Sequence, residues 1–95
     1  MATQLRRYEF VDGDGLDRLA EWFPAIIPVR EKYGFTVNFA YADRETNQFV
    51  WSVSHPDDFA AAEAVYNDSP ERSAAFVGFE NPVTAMHVTM VDEVI

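Results

Sequence analysis

The sequence predicts one α+β domain, a four-stranded antiparallel sheet built in the order strand, helix, strand, strand, helix, strand. Three observations carry this expectation. The chain has 95 residues, room for a single ordinary domain. Stretches with period-two alternation are interleaved with stretches whose apolar side chains recur at helical spacing. Polar, Gly- and Pro-bearing turns separate them, with no internal repeat, low-complexity tract or linker.

The first strand spans Gln4 to Val11, with Arg6, Tyr8 and Phe10 on one face and Leu5, Arg7, Glu9 and Val11 on the other. Asp12-Gly13-Asp14-Gly15 ends it, and Asp12 or Asp14 suits a helix N-cap. A calcium loop is excluded there, because Asp17 and Phe23 stand where an EF-hand needs Gly and Glu. Leu16, Leu19, Ala20, Phe23, Ile26 and Ile27 then form a helical stripe. Pro24 and Pro28 lack the amides of a continuous helix, and the stripe keeps its phase across Pro24, so one bent helix is expected. Gly34 suits the position just past its end. Trp22, Ala25 and Val29 form a small apolar patch on its far side.

Phe35 to Ala42 alternates Phe35, Val37, Phe39 and Tyr41 against Thr36, Asn38, Ala40 and Ala42. A polar turn, Asp43 to Asn47, leads to a return strand from Gln48 to His55. Unbroken alternation pairs Tyr41 with Phe49, Phe39 with Trp51 and Val37 with Val53. Pro56 suits the first position of the next helix, whose stripe is Phe59, Ala62, Glu63 and Tyr66. Ser69-Pro70 starts a short further helix to about Phe76, stopped at Gly78, and Val83 to Val91 is the last strand. The order is that of the split βαβ, ferredoxin-like fold, with helices over one face of the sheet.

Composition excludes several functions. Sixteen acidic against seven basic side chains give a net charge of −9, unsuited to neutralising nucleic-acid or lipid phosphates. The chain has no Cys, so disulfides, thiolate chemistry and Cys-ligated zinc are out. Neither a membrane-spanning apolar run nor a signal-like start is seen, and a cytoplasmic location is expected. Eight Phe, four Tyr and two Trp are many rings for so short a chain to bury. Both sheet faces are apolar, and the ring-bearing one (Phe35, Phe39, Tyr41, Phe49, Trp51) is expected to be the one left uncovered by helices. A homodimer, two sheets facing each other around a shared interior, would shelter it.

Arg6-Arg7-Tyr8-Glu9-Phe10 resembles the first-strand motif of the NIPSNAP-like proteins, as does the stretch from Phe49 through His55-Pro56-Asp57-Asp58-Phe59 to Tyr66-Asn67-Asp68-Ser69-Pro70-Glu71. The shared pattern is an aromatic-rich strand, an acidic turn, then a helix ending near Tyr-x-x-Ser. It covers roughly Leu5 to Phe76 and fades in the last strand. The resemblance implies a ferredoxin-like protomer dimerised into a dimeric α/β barrel, with a pocket between sheet and helices. It also implies kinship with stress-responsive barrel proteins and cofactor-free antibiotic-biosynthesis monooxygenases. The sequence departs from the pattern at Val53 and His55, where relatives carry larger or aromatic side chains.

His55, on the alternation of Trp51 and Val53, is the candidate catalytic residue, a general base toward an acidic phenol or enol. Its plainer alternative is to cap the helix that follows. Arg6 and Tyr8 on a central strand suit an anionic ligand, or Arg6 pairs with a local carboxylate. Tyr41 and Trp51 would stack on a flat ligand, or simply pack the core. His87 joins them as a ligand-facing candidate, or is a satisfied polar residue. Two His without ligand spacing give no metal site, and no cofactor is called for. The expected function is binding of a small hydrophobic or aromatic molecule in the barrel, with cofactor-free oxidation, isomerisation or cyclisation as its enzymatic form. The alternatives are a non-catalytic interaction module with a packed interior, and haem binding through an axial His.

Overall fold

A computed structural model describes residues 1–11 and 13–95. Its elements are β1 (Ala2–Phe10), α1 (Gly15–Trp22), a 3-10 turn (Phe23–Ala25), α2 (Ile27–Lys32), β2 (Thr36–Asp43), β3 (Gln48–His55), α3 (Phe59–Asn67), α4 (Pro70–Ala75) and β4 (Val83–Val91). All neighbouring strands pair antiparallel in the order β2-β3-β1-β4, the ferredoxin-like sheet, with β1 and β3 central. No helix among the described residues is long and apolar enough to cross a membrane.

The bent helix forms where the prolines require it. Pro24 occupies the 3-10 turn and Pro28 the start of α2, positions that tolerate a missing amide. Across the bend Leu16, Leu19, Phe23 and Ile26 all stay buried against the sheet. Asp14 stands at the N-cap of α1 but makes no capping hydrogen bond, and its carboxylate lies 3.5 Å from Arg18 Nε instead. Asp12, the other expected cap, lies outside the described residues. The next helix begins three residues later than Pro56 suggests. His55 Nδ1 accepts the Asp57 amide at 3.1 Å, and Asp58 caps α3 by accepting from the Ala61 amide at 3.1 Å. Ser69 caps α4 as its sequence implies, accepting from the Arg72 amide at 3.2 Å.

The faces of the sheet are divided otherwise than unbroken alternation predicts. Val37 does pair with Val53, but Phe39 pairs with Ser52 and Tyr41 with Val50. The shift between Val37 and Phe39 is a β-bulge at Asn38, whose side chain is held by Ser52 and Ser54: Nδ2 donates to Ser52 Oγ at 3.1 Å, and Oδ1 accepts from Ser54 Oγ at 3.4 Å. One extra residue reverses the facing of everything after it. Phe39 and Tyr41 therefore turn to the helix-free face and stack with centroids 5.2 Å apart.

Phe35, Phe49, Trp51 and Val53 face the helices and are at most 3% exposed. The ring-bearing side is thus the covered one, because the apolar stripe of α1 and α2 needs an apolar sheet face to bury against. The open face is mixed. Phe39 and Tyr41 share it with Leu5 and Val50, while Arg7 donates to Gln48 Oε1 at 2.8 Å and His87 pairs with the Glu9 carboxylate.

Gly34 closes α2 with φ +89°, and a Cβ there would stand 2.8 Å from His55 Nε2. Gly34→Ala combines left-handed backbone strain with a clash against a buried ring. It is expected to lower unfolding free energy by about 1–3 kcal/mol, read from urea denaturation midpoints at unchanged slope.

Candidate functional site

Between the helices and the central strands lies a cavity of about 180 Å³. Strand periodicity places Arg6 and Tyr8 of β1 on its floor, beside Trp51 of β3. Leu19, Trp22, Phe23 and Ile26 form one wall, and α3 contributes Glu63, Tyr66 and Asn67. Arg72 and Phe76 come from α4 and the residue that ends it, and Met86 of β4 lies at the rim, 58% exposed.

The polar chemistry centres on Arg30. One helical turn past Ile26, it points into the core and is only 5% exposed. Its guanidinium lies 4.0 Å from the Tyr66 ring centroid, 5.0 Å from Phe35 and 5.2 Å from Trp51. Glu63 Oε2 sits 3.4 Å from Arg30 Nη1 and 3.5 Å from Arg6 Nη1, so one carboxylate oxygen is shared by two guanidinium groups. Arg6 also donates through Nε to Tyr8 Oη at 2.8 Å and through Nη1 to Gln4 Oε1 at 2.9 Å. Arg72 lies 4.5 Å from the Phe76 centroid and 5.8 Å from that of Tyr66.

Three guanidinium groups thus meet one carboxylate in a protein whose net charge is −9. Arg30 Nε, Arg72 Nε and Trp51 Nε1 are buried donors without a hydrogen-bond partner. Burial pulls the Arg30 guanidinium below its ordinary value, Arg6 adding to this and Tyr66 and Glu63 opposing it. Burial likewise raises the Tyr66 hydroxyl, against the pull of Arg30 and Arg72.

Of the residues singled out from sequence, Arg6, Tyr8 and Trp51 come together in this cavity. Tyr41 and His87 lie on the opposite face of the sheet, the first because of the bulge at Asn38. His55 faces the helix side but does not line the cavity. Its Nδ1 accepts the Asp57 amide, so its Nε2–H donates to the Tyr33 carbonyl at 3.2 Å. The imidazole thereby ties the end of α2 to the Asp57 backbone, while the cap of α3 is Asp58. With both His outside the lining, no axial imidazole faces the cavity for haem. The cavity itself counts against a fully packed interior.

Arg30, Glu63, Tyr66 and Arg72 are the cavity residues sequence reasoning passed over. The signal for two of them was present, since Arg30 and Glu63 are charges inside apolar helical stripes. Trp22, expected in a stray outward patch, instead stacks on Phe79 at 4.3 Å and donates to the Ala75 carbonyl at 2.9 Å.

The helices bearing Arg30 and Arg72 are tied by Glu71, which accepts from Lys32 Nζ at 2.9 Å and from Tyr33 Oη at 2.9 and 3.0 Å. These bonds, Lys32 first, hold the Glu71 carboxyl below its usual 4.5. A carboxyl depressed in the folded state stabilises it above its unfolded value, and that contribution is lost as pH falls through the lower folded one. Glu71→Gln should therefore flatten the acid-side fall of melting temperature below pH ~5, measured by thermal melts across a pH series.

No protein-family model matches the chain, and no curated protein matches it. Solved structures do match. A NIPSNAP domain protein from Burkholderia xenovorans superposes with TM-score 0.77 at 14% identity, over 99% of this chain and 95% of that one. A NIPSNAP family protein of unknown function from Agrobacterium tumefaciens gives 0.72 at 13% identity, over 96% and 86%. An antibiotic biosynthesis monooxygenase gives 0.71 at 12% identity, over the whole of both chains. The chain therefore has the ferredoxin-like α+β fold that NIPSNAP-domain proteins and antibiotic biosynthesis monooxygenases share.

Proposed function

We propose that this protein is a NIPSNAP-like dimeric α/β-barrel protein that binds a small aromatic molecule between its helices and its sheet. One observation carries the reading: an aromatic-walled cavity lined by three guanidinium side chains against a single carboxylate. Positive charge that its own surroundings compensate only in part suits a ligand with acceptor oxygens. Its size suits a modest ligand, since an apolar cavity of about 150 Å³ holds benzene.

Arg6, Tyr8, Trp51, Arg30, Glu63, Tyr66 and Arg72 form the binding set in this reading. Binding is better supported than turnover, because the imidazole suited to take a proton stands outside the lining and the cavity's carboxylate is already engaged by two guanidinium groups. The dimer is proposed to form through the helix-free face, where Phe39 and Tyr41 are 36% and 64% exposed beside Leu5 and Val50.

Native mass spectrometry of protein purified from its own host tests both halves. The expected result is a dimer of 10.8 kDa protomers carrying a small molecule, which Met86→Trp at the rim displaces. An apo protein that also fails to bind any one-ring aromatic compound would refute the ligand reading. Sedimentation tests the interface separately: Phe39→Asp with Tyr41→Asp should yield folded monomers at micromolar concentration. His55→Ala should lower the melting temperature yet leave ligand affinity within about twofold.

A further inference from the structure

We infer that the cavity selects a planar, one-ring anion, an aromatic carboxylate or ionised phenol, over its neutral analogue, and that Glu63 limits its affinity. This rests on the proposed binding role and specifies the ligand's charge. The argument begins with charge placement. Arg30 is 5% exposed, and among the described residues its carboxylate contact is the Glu63 oxygen it shares with Arg6. Neither contact is short or bidentate, the geometry in which guanidinium–carboxylate pairs are strong. The cavity therefore keeps an excess of two positive charges with its own acid present. Burying such charge is costly unless something anionic compensates it.

Donor chemistry adds a second constraint. The guanidinium groups of Arg6, Arg30 and Arg72 and the indole N–H of Trp51, all from lining residues, only donate hydrogen bonds. A carboxylate or phenolate oxygen, which only accepts, complements them. Shape adds a third. The walls are the faces and edges of Tyr8, Phe23, Trp51 and Tyr66, which favour a flat π-system, and about 180 Å³ holds one substituted ring rather than a fused polycycle.

Glu63 enters with the opposite sign. Its carboxylate neutralises part of the field a ligand anion would feel and accepts from Nη1 of Arg30 while pairing with Arg6. Removing its charge while keeping its shape should strengthen anion binding, whereas a role for Glu63 confined to holding Arg30 in place predicts weaker binding and lower stability. Arg72 is the better arginine to vary, being half-buried, whereas Arg30 sits within the core.

Isothermal titration of the full chain with benzoate and benzamide, similar in shape and differing in charge, tests this. Benzoate is expected to bind at least about tenfold tighter. Arg72→Gln should weaken benzoate at least about fivefold and lower its preference over benzamide, and Glu63→Gln should strengthen benzoate about threefold and raise that preference. A second measurement uses 4-nitrophenol, whose absorbance reports its ionisation. The bound dye should be phenolate at a pH where much of the free dye is neutral. Equal affinity for benzoate and benzamide, or a bound dye no more ionised than the free one, overturns the inference while leaving aromatic binding intact. Weaker benzoate binding by Glu63→Gln overturns the role given to Glu63. Failure of all three probes to bind overturns this inference, and an empty protein in native mass spectrometry then removes the binding reading as well.

Discussion

Arg30 places a permanent charge among the aromatic rings of the core. A guanidinium cannot escape that cost by losing its proton, so its surroundings must answer it. Tyr66, Phe35 and Trp51 offer ring faces or edges, and Glu63 offers one oxygen. The answer is incomplete, because Arg6 draws on the same oxygen and Arg72 enters from the neighbouring helix. The helices and sheet consequently enclose a cavity rather than closing upon each other. The cavity is a consequence of packing around a charge.

Ties between helix ends hold this arrangement in register. Glu71 bridges α2 and α4 through Lys32 and Tyr33, and the Trp22 indole reaches the carbonyl of Ala75. His55 sits beneath Gly34 with both ring nitrogens engaged, joining the end of α2 to the turn before α3. These contacts lie at the ends of short helices, where backbone groups otherwise lack partners. They hold the helices that bear Arg30 and Arg72 against one another.

The other side of the sheet follows a separate logic. The bulge at Asn38 moves two rings away from the core and onto a face that also carries Arg7 with Gln48 and Glu9 with His87. This face is part aromatic and part hydrogen-bonded polar groups, unlike the continuous aromatic surface that strict alternation would give.

Element order, the bend at Pro24, the caps at Ser69 and the glycine past α2 were legible in the residues themselves, because local backbone preferences and apolar period decide them. Arg6, Tyr8 and Trp51 were legible as a group for the same reason, sharing one face of two central strands. The facing of Tyr41 was not, since a bulge is chosen by hydrogen bonds between Asn38 and the serines of another strand. Nor was the meeting of Arg30 with Glu63 and Arg72, which lie on three different helices and are brought together only when these pack on one sheet. Short-range chemistry is written along the chain. Which charges must share a buried space is decided by tertiary packing, because that cost exists only once water has been excluded.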